Sequence, residues 1–501
     1  MTTTPPPRAL LSALYHAAVQ GAAPFPRTRD AVRDWFAARP ALPADAPVFV
    51  IALGKAAPAM MAGALDALAG LRRAVQGGLV VGAHHASPDA HAGSTDVAEL
   101  PPQIRVMVGD HPVPGPASLD AADALESLVH ELEPGSIALV LLSGGTTSLC
   151  AAPIAALSQA VGDAERAQAH LANLAQTLLE SGLAIHEMNA IRRRVLRWGA
   201  GRLAVALVGR GAAHVPVFAI SDVIGDDPAV IGSGPCTADP LDDATFLALL
   251  DAHDMRARVE RAMGIVLGLE GAGHPPVVPS ASHPAFERVG YTLVARNRDA
   301  VQAMAQHARA TGITALHVQE APLEGDAALL GDSMARLALQ MAQQAPPGTS
   351  LLLCGGEPVV NLRETIDRAL ARGEEDDLRP ADHGTPVADE PLRGGRMQVL
   401  ALSAALALEE AAAHGDPAAW RITVLAAGTD GRDGPTDAAG AIVDAAVPGL
   451  ARRAGRSPEA DLATGRSWLP LDAADALLRP GPTGTNVMDV VALLIRDGIR
   501  G

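Results

Sequence analysis

Lysine is nearly missing from this chain. Of 39 lysines and arginines one is lysine, Lys55, so wherever a surface cation suffices arginine has been used. A position that keeps the compact ammonium therefore points to a point charge, not a planar fork. Aromatic residues are scarce at 2%, which leaves Ala, Leu and Val to build the core. Positive charge is short overall. A net charge of −17 argues against nucleic acid or an acidic membrane as partner. An anionic substrate would need its own local cluster of basic groups. The three cysteines, Cys150, Cys236 and Cys354, lie far apart without a C-x-x-C pair. That pattern excludes a disulfide framework and a cysteine zinc site, and fits reduced thiols. No run of 18 uncharged apolar residues occurs, and the first residues lack a long apolar stretch. The expectation is a soluble, cytoplasmic protein. At 501 residues the chain exceeds one core, so two or three domains are expected.

The stretch Val48–Gly63 reads as strand, glycine turn and helix, with Lys55 at the turn. This arrangement points backbone N–H groups and a helix N-terminus at an anion. Phosphate contact is the role expected of Lys55. A P-loop is excluded, because Phe49 and Ala56 stand where that motif needs glycine and a hydroxyl. Ile137–Leu142 is the clearest buried strand, and it runs into Ser143, Gly144, Gly145 and three hydroxyl residues. Glycines there allow close backbone approach, and the end of a parallel strand is where open α/β sheets bind ligands.

Other motifs sort by what they lack. His186-Glu187 begins like a zincin helix, but Ala190 stands where the second histidine is needed. His84, His85 and His91 have no regular ligand spacing and read as solvated loop residues. Asn189 with Arg192, Arg193, Arg194 and Arg197 is the densest basic cluster, either a salt-bridged surface helix or a carboxylate or phosphate clamp. Val215–Ile220 reads as a strand ending at Asp222, Asp226 and Asp227, acids that are costly to gather without a cation. Magnesium on a nucleotide is the economical partner. Gly232-Ser233-Gly234 is not a G-x-S-x-G elbow. Asp430 and Asp433, among glycines past the strand Arg421–Ala426, repeat the carboxylate pattern without EF-hand spacing. Tyr291–Val318 reads as a βαβ module after a seam at Pro275–Pro284, residues 363–392 as a polar insertion, and Gly481–Asn486 as the lead-in to a terminal helix.

Taken together, GKA (54–56), DHPVP (110–114), SGG (143–145), MNAIRR (188–193), SDVIGDD (221–227), GSGP (232–235), LEGDA (323–327), GGE (355–357), GGR (394–396), AAGTDGRDGPTDAAGA (426–441) and GPTGTNV (481–487) resemble the class II glycerate kinases, the glycerate 2-kinase family with a MOFRL carboxyl-terminal domain. The resemblance covers nearly the whole chain, in order. It implies an α/β fold: a large Rossmann-like α/β/α domain over 1–285, with 470–501 packing back on it. A smaller MOFRL-type α/β domain over 286–469 would face it across a cleft.

It also implies ATP-dependent phosphorylation of D-glycerate, or a closely related short sugar acid, to the 2-phosphate. ATP and Mg²⁺ are the expected cofactors. A small sugar acid and ATP are the expected partners, with no nucleic acid or membrane, and a homodimer is allowed. Lys55, Arg396, Asp430 and Asp222 match the catalytic candidates, with Asp222, Asp226 and Asp433 as metal candidates. Ser143, Gly144, Gly145, Asn189, Arg192, Gly232, Ser233, Gly234, Glu357, Thr485 and Asn486 are the candidates for substrate and nucleotide. The chain departs from the SGGGSAL usual in that family at Thr146, Thr147 and Ser148, from RKHLS at Arg193, Arg194, Val195 and Leu196, and from GGRNQE at Met397 and Val399. Those departures motivate the alternative of a non-catalytic sugar-acid sensor. A hydroxypyruvate reductase, a label some relatives carry, is the remaining reading, but no G-x-G-x-x-G follows a strand.

Overall fold

A computed structural model describes residues 6–83, 100–155, 162, 164–183, 185–264, 278–344, 348–360 and 393–496. The expectations for His84, His85 and His91 and for the 363–392 insertion lie outside the described residues. The chain forms two compact units, one of residues 23–296 and one of residues 1–22 with 297–501.

The first unit carries a six-stranded sheet of β1 (Val48–Leu53), β2 (Val75–Gly82), β3 (Ile104–Val108), β4 (Ile137–Leu142), β5 (Val215–Ile220) and β6 (Val289–Ala295). Their spatial order is β3-β2-β1-β4-β5-β6, and every pair is parallel. This is the doubly wound order. β1, β4 and β5 are buried along their whole length, as strands covered on both faces must be. Phe49, Ile51 and Leu53 share one core with the helices Pro116–His130 and Arg202–Gly209. The alternate residues Val48, Val50 and Ala52 are also buried, and the pleat turns them to the opposite face. On the helix Ala57–Gly70, a Cβ at Gly63 would lie 2.3 Å from the Phe25 carbonyl oxygen, so the helix Pro24–Ala37 packs backbone-close against it.

The second unit has β7 (Ala315–Val318), β8 (Thr349–Gly356), β9 (Ile422–Gly428), β10 (Gly440–Val443), β11 (Leu477–Leu478) and β12 (Asp489–Arg496), in the order β11-β10-β9-β12-β8-β7. β12 lies centrally, antiparallel to both β8 and β9. The helices Ala327–Gln344 and Arg396–Ala413 meet through Gly331, where a Cβ would lie 2.2 Å from the Leu400 carbonyl oxygen. Around that contact the core is largely alanine, including Ala335, Ala338, Ala404 and Ala405. Small side chains and close helices replace the missing aromatics.

Three expectations are overturned. The segment after Asn486 is strand β12, not a helix: its run of Val, Leu and Ile suits a central strand buried on both faces. Residues 470–496 complete the sheet of the unit formed by residues 1–22 and 297–501, and they meet the N-terminal end of the 1–285 portion, where Thr485 donates to the Ala22 carbonyl at 2.9 Å. Tyr291–Val318 is not a βαβ module, because β6 joins the first sheet and β7 the second. The chain passes between units at Arg296–Asn297, past the proline-rich stretch expected to mark the seam. The helix Pro7–Gly21 belongs to the second unit, where Tyr15 donates its hydroxyl to the Gly428 carbonyl at 2.9 Å.

Candidate active site

In the doubly wound order the topological switch lies between β1 and β4, where crossovers leave in opposite directions and a crevice opens at the strands' carboxyl ends. Lys55 and Ser143–Gly145 are the loops there. Gly54 has φ +116°, and a Cβ on it would meet the Ser143 hydroxyl at 2.3 Å. Only glycine lets the two loops approach this closely. The Lys55 amide donates to the Gly144 carbonyl at 2.8 Å, and the Ala56 amide to the Ser143 hydroxyl at 3.0 Å. Thr146 is buried and shares its hydroxyl proton between the carbonyls of Leu53 (2.9 Å) and Ser143 (2.8 Å). The backbone of Lys55 is thus pinned while its side chain stays exposed.

Three further expected residues converge on these loops. A Cβ at Gly144 would lie 1.9 Å from Asp222 Oδ2, so the carboxylate sits against the bare Cα face. Ser233 shares a hydroxyl–hydroxyl hydrogen bond of 2.9 Å with Thr147. Gly232, with φ +60°, packs on Thr146, and Gly234 has φ +58°. His111 was not singled out from the sequence, yet its ring and the Lys55 stem both border Gly145, each 3.3 Å from where a Cβ would stand.

The other acids of this unit disperse. Asp226 lies 3.6 Å from Arg296, and Asp227 accepts from the Ala229 amide at 2.9 Å. Among the described residues no group of three or more His, Cys, Asp or Glu side chains could hold a metal. Magnesium does not need one, since it takes one or two carboxylates plus phosphate oxygens. Asp222, on a loop with no room for another side chain beside it, fits that requirement.

The basic helix Ile185–Val195 is mostly spent on internal pairs. Arg193 and Arg194 are buried and share Asp239 at 3.1 and 2.9 Å, and Arg194 also pairs with Asp243. Arg197 meets Asp123 and Glu126 at 2.6 and 2.7 Å. The salt-bridged account holds for these three, with Arg193 and Arg194 interior instead of at the surface. Arg192 makes a long contact of 3.5 Å with Asn189, and burial pushes its guanidinium below its usual range.

In the second unit the residues gather where β8 and β9 end and β12 begins. Arg396 opens the helix Arg396–Ala413. It donates through Nε to Asp489 at 2.6 Å and through a terminal nitrogen to Glu357 at 2.8 Å. Burial opposes its charge, but Asp489 and Glu357 outweigh burial and hold the guanidinium above its usual range. Asp489 was missed from the sequence because the segment was read as a helix. As the first residue of β12 it stands opposite Gly356 and Gly428, the last residues of its two neighbours. Burial pushes its carboxyl up to about 6, with Arg396 pulling the other way. Asp430 is half-buried, and its Oδ1 accepts from the Arg432 amide at 2.9 Å.

Three candidates here do local structural work. Asp433 is buried, and its two oxygens accept from the amides of Met397 (3.2 Å) and Gln398 (2.7 Å), capping the helix at Arg396. Burial, then the charge on Asp489, pushes the Asp433 carboxyl up to about 7. Thr485 donates to the Ala22 carbonyl at 2.9 Å, and Asn486 accepts from the Met488 amide at 3.2 Å. Thr429 donates to the Met488 carbonyl at 2.7 Å and Thr483 to the Thr429 carbonyl at 2.6 Å. The GPTGTNV segment thereby straps the strand ends that carry Asp430 and Asp489.

Known proteins share both halves. Residues 10–267 match the family model described as a domain of unknown function, DUF4147, and residues 385–489 match the MOFRL family. The chain is 33% identical to a putative hydroxypyruvate reductase of Agrobacterium vitis, over 78% of each chain. It is 28% identical to a glycerate 2-kinase of Pyrococcus horikoshii, over 89% of this chain and 87% of that one. The crystal structure of a glycerate kinase from Thermotoga maritima superposes with a TM-score of 0.70 at 26% identity, covering 97% of this chain and 99% of the other. With both models matched in order and the fold shared along its length, this chain belongs to the DUF4147–MOFRL family, that of the class II glycerate kinases.

Proposed function

We propose that the protein is a cytoplasmic ATP-dependent glycerate 2-kinase that transfers the γ-phosphoryl group of ATP to the 2-hydroxyl of D-glycerate or a close short sugar acid. The observation that carries the reading is the pinned Lys55 turn, hydrogen-bonded to Gly144 at the switch point, with Asp222 against the same glycine. Phosphoryl transfer demands positioning and charge neutralisation above all. Lys55 neutralises the transferring group, and the bare backbone at 143–145 and 232–234 admits phosphate oxygens. Arg396 pairs with the acid's carboxylate. Asp430 takes the proton from the 2-hydroxyl as its oxygen bonds to phosphorus and the bond to ADP breaks. Mg²⁺, held by Asp222 and the phosphates, would supply the remaining neutralisation. Asn189 and Arg192 are retained as substrate contacts, whereas Asp226, Asp433, Thr485 and Asn486 support the loops.

A relative is named as a reductase and the strand order is one that also binds dinucleotides, so that reading requires an answer. β2 ends Val80-Val81-Gly82 and Ala83 follows, without the acid that would take a ribose hydroxyl, and the turn after β1 is Gly-Lys-Ala. The support therefore favours the kinase. Purified protein with ATP, Mg²⁺ and D-glycerate should yield ADP and 2-phosphoglycerate, and should not oxidise NADH or NADPH with hydroxypyruvate. Lys55→Ala should lose the transfer and keep the wild-type melting curve. Undiminished turnover in that variant would remove Lys55 from the chemistry.

A further inference from the structure

Arg396 is held by more negative charge than one guanidinium needs. Asp489 faces it with both oxygens, Oδ2 at 2.6 Å from Nε and Oδ1 at 3.4 Å from a terminal nitrogen, and Glu357 takes the other terminal nitrogen at 2.8 Å. The Asp489 side chain is 5% exposed, against 32% for Arg396. A carboxylate so buried costs stability unless its partner is fixed. Nothing about the start of a strand calls for that cost, since any small apolar residue would suit it. Gly428 opposite it makes the room: a Cβ there would stand 3.3 Å from both Asp489 Oδ1 and Asp430 Oδ1. Of a guanidinium's five N–H bonds, three are directed at these two carboxylates. The remaining two lie one on each terminal nitrogen, and a two-edged grip on Nε and both terminal nitrogens fixes their plane.

We propose that Asp489 is the positioning residue of the acid-binding arginine. It clamps the Nε edge of Arg396, so that the two remaining N–H bonds are presented together to the carboxylate of the bound sugar acid. The inference rests on the glycerate-kinase reading, and wild-type turnover decides that reading before any variant is compared.

The test is steady-state kinetics with ATP, Mg²⁺ and D-glycerate on wild type, Asp489→Asn, Arg396→Ala and the double variant. Loss of a charge-assisted hydrogen bond that orients the arginine should raise KM for D-glycerate about tenfold or more. KM for ATP should stay within about twofold, a split that general loosening of the fold would not produce. The double variant should be no worse than Arg396→Ala alone, because Asp489 acts through that arginine. An unchanged KM for D-glycerate in Asp489→Asn, equal rises in both KM values, or additive losses in the double variant would overturn the proposal. Should Asp489→Asn fail to fold, Arg396→Ala with Asp489 intact still decides. Millimolar guanidinium should restore turnover there, since it offers the clamp two parallel N–H bonds, whereas methylammonium of the same charge should not. Equal rescue by both cations would overturn the clamp.

Discussion

Thr146 donates its hydroxyl to the carbonyl oxygen of Leu53 at 2.9 Å, so the residue after the Ser-Gly-Gly loop holds the last residue of β1. The same proton is shared with the Ser143 carbonyl, whose oxygen lies 2.8 Å away. Thr146→Val keeps the shape and removes both contacts. Leu53 keeps the Ser143 amide as a donor at 3.0 Å, which limits the damage. The expected loss is about 1 kcal/mol by urea unfolding, together with a raised KM for ATP. Wild-type stability and KM would mean that the two loops hold together without it.

Lys55→Arg asks whether charge alone is required. The side chain is exposed, so the substitution should leave the melting temperature unchanged. The guanidinium is larger and planar, and it enters a turn whose backbone is fixed to Gly144. Turnover should fall by about tenfold or more, since a misplaced cation forfeits at least one charge-assisted contact. Retention of full activity would show that any cation serves.

Much of the first unit was legible in the sequence because its buried strands are short apolar runs that stop abruptly at glycine or serine. Val48–Leu53, Ile137–Leu142 and Val215–Ile220 are strands to the residue. The second unit was harder to read. Asp489–Arg496 contains the apolar run Val-Val-Ala-Leu-Leu-Ile, which periodicity alone cannot distinguish from a buried helix. That ambiguity hid Asp489, whose meaning depends on standing between the ends of β8 and β9. Likewise a cluster of four arginines looks like a ligand clamp until Asp239, about forty-five residues further on, folds against two of them. Asp433 shows the same limit, since an acid among glycines gives no sign that two helix amides already occupy it.

Gly144→Ala tests the contact between the switch-point loop and Asp222 directly. The added methyl would stand 1.9 Å from Asp222 Oδ2, far inside contact distance, so that carboxylate has to move. If Asp222 works where it sits, turnover should fall by about a hundredfold or more, as misplacement by about an ångström does elsewhere. Far-UV circular dichroism should be unchanged, because the loop lies beyond the strand. An active Gly144→Ala enzyme would remove Asp222 from the site.

The buried Asp433 carboxyl makes a prediction about pH. Its value rises from the usual 3.8 to about 7, chiefly through burial and then through the charge on Asp489. Between those two values the folded protein holds a proton that the unfolded chain has released. Stability from this group is therefore greatest on the acid side and falls as pH rises through that window, then levels off above about 7. The slope from one such proton is at most about 1.4 kcal/mol per pH unit. Asp489, pushed up to about 6, adds a slope of the same sign over a narrower window. Asp433→Asn cannot titrate, and its amide group turns a donor toward the amides of Met397 and Gln398. The variant should be the less stable protein at pH 5, with the gap narrowing toward pH 7 and constant above it. Urea unfolding of both proteins from pH 5 to 8 measures this. A gap that stays constant or widens as the pH rises would mean that Asp433 is already ionised in the folded state at pH 5, and that the two helix amides outweigh burial.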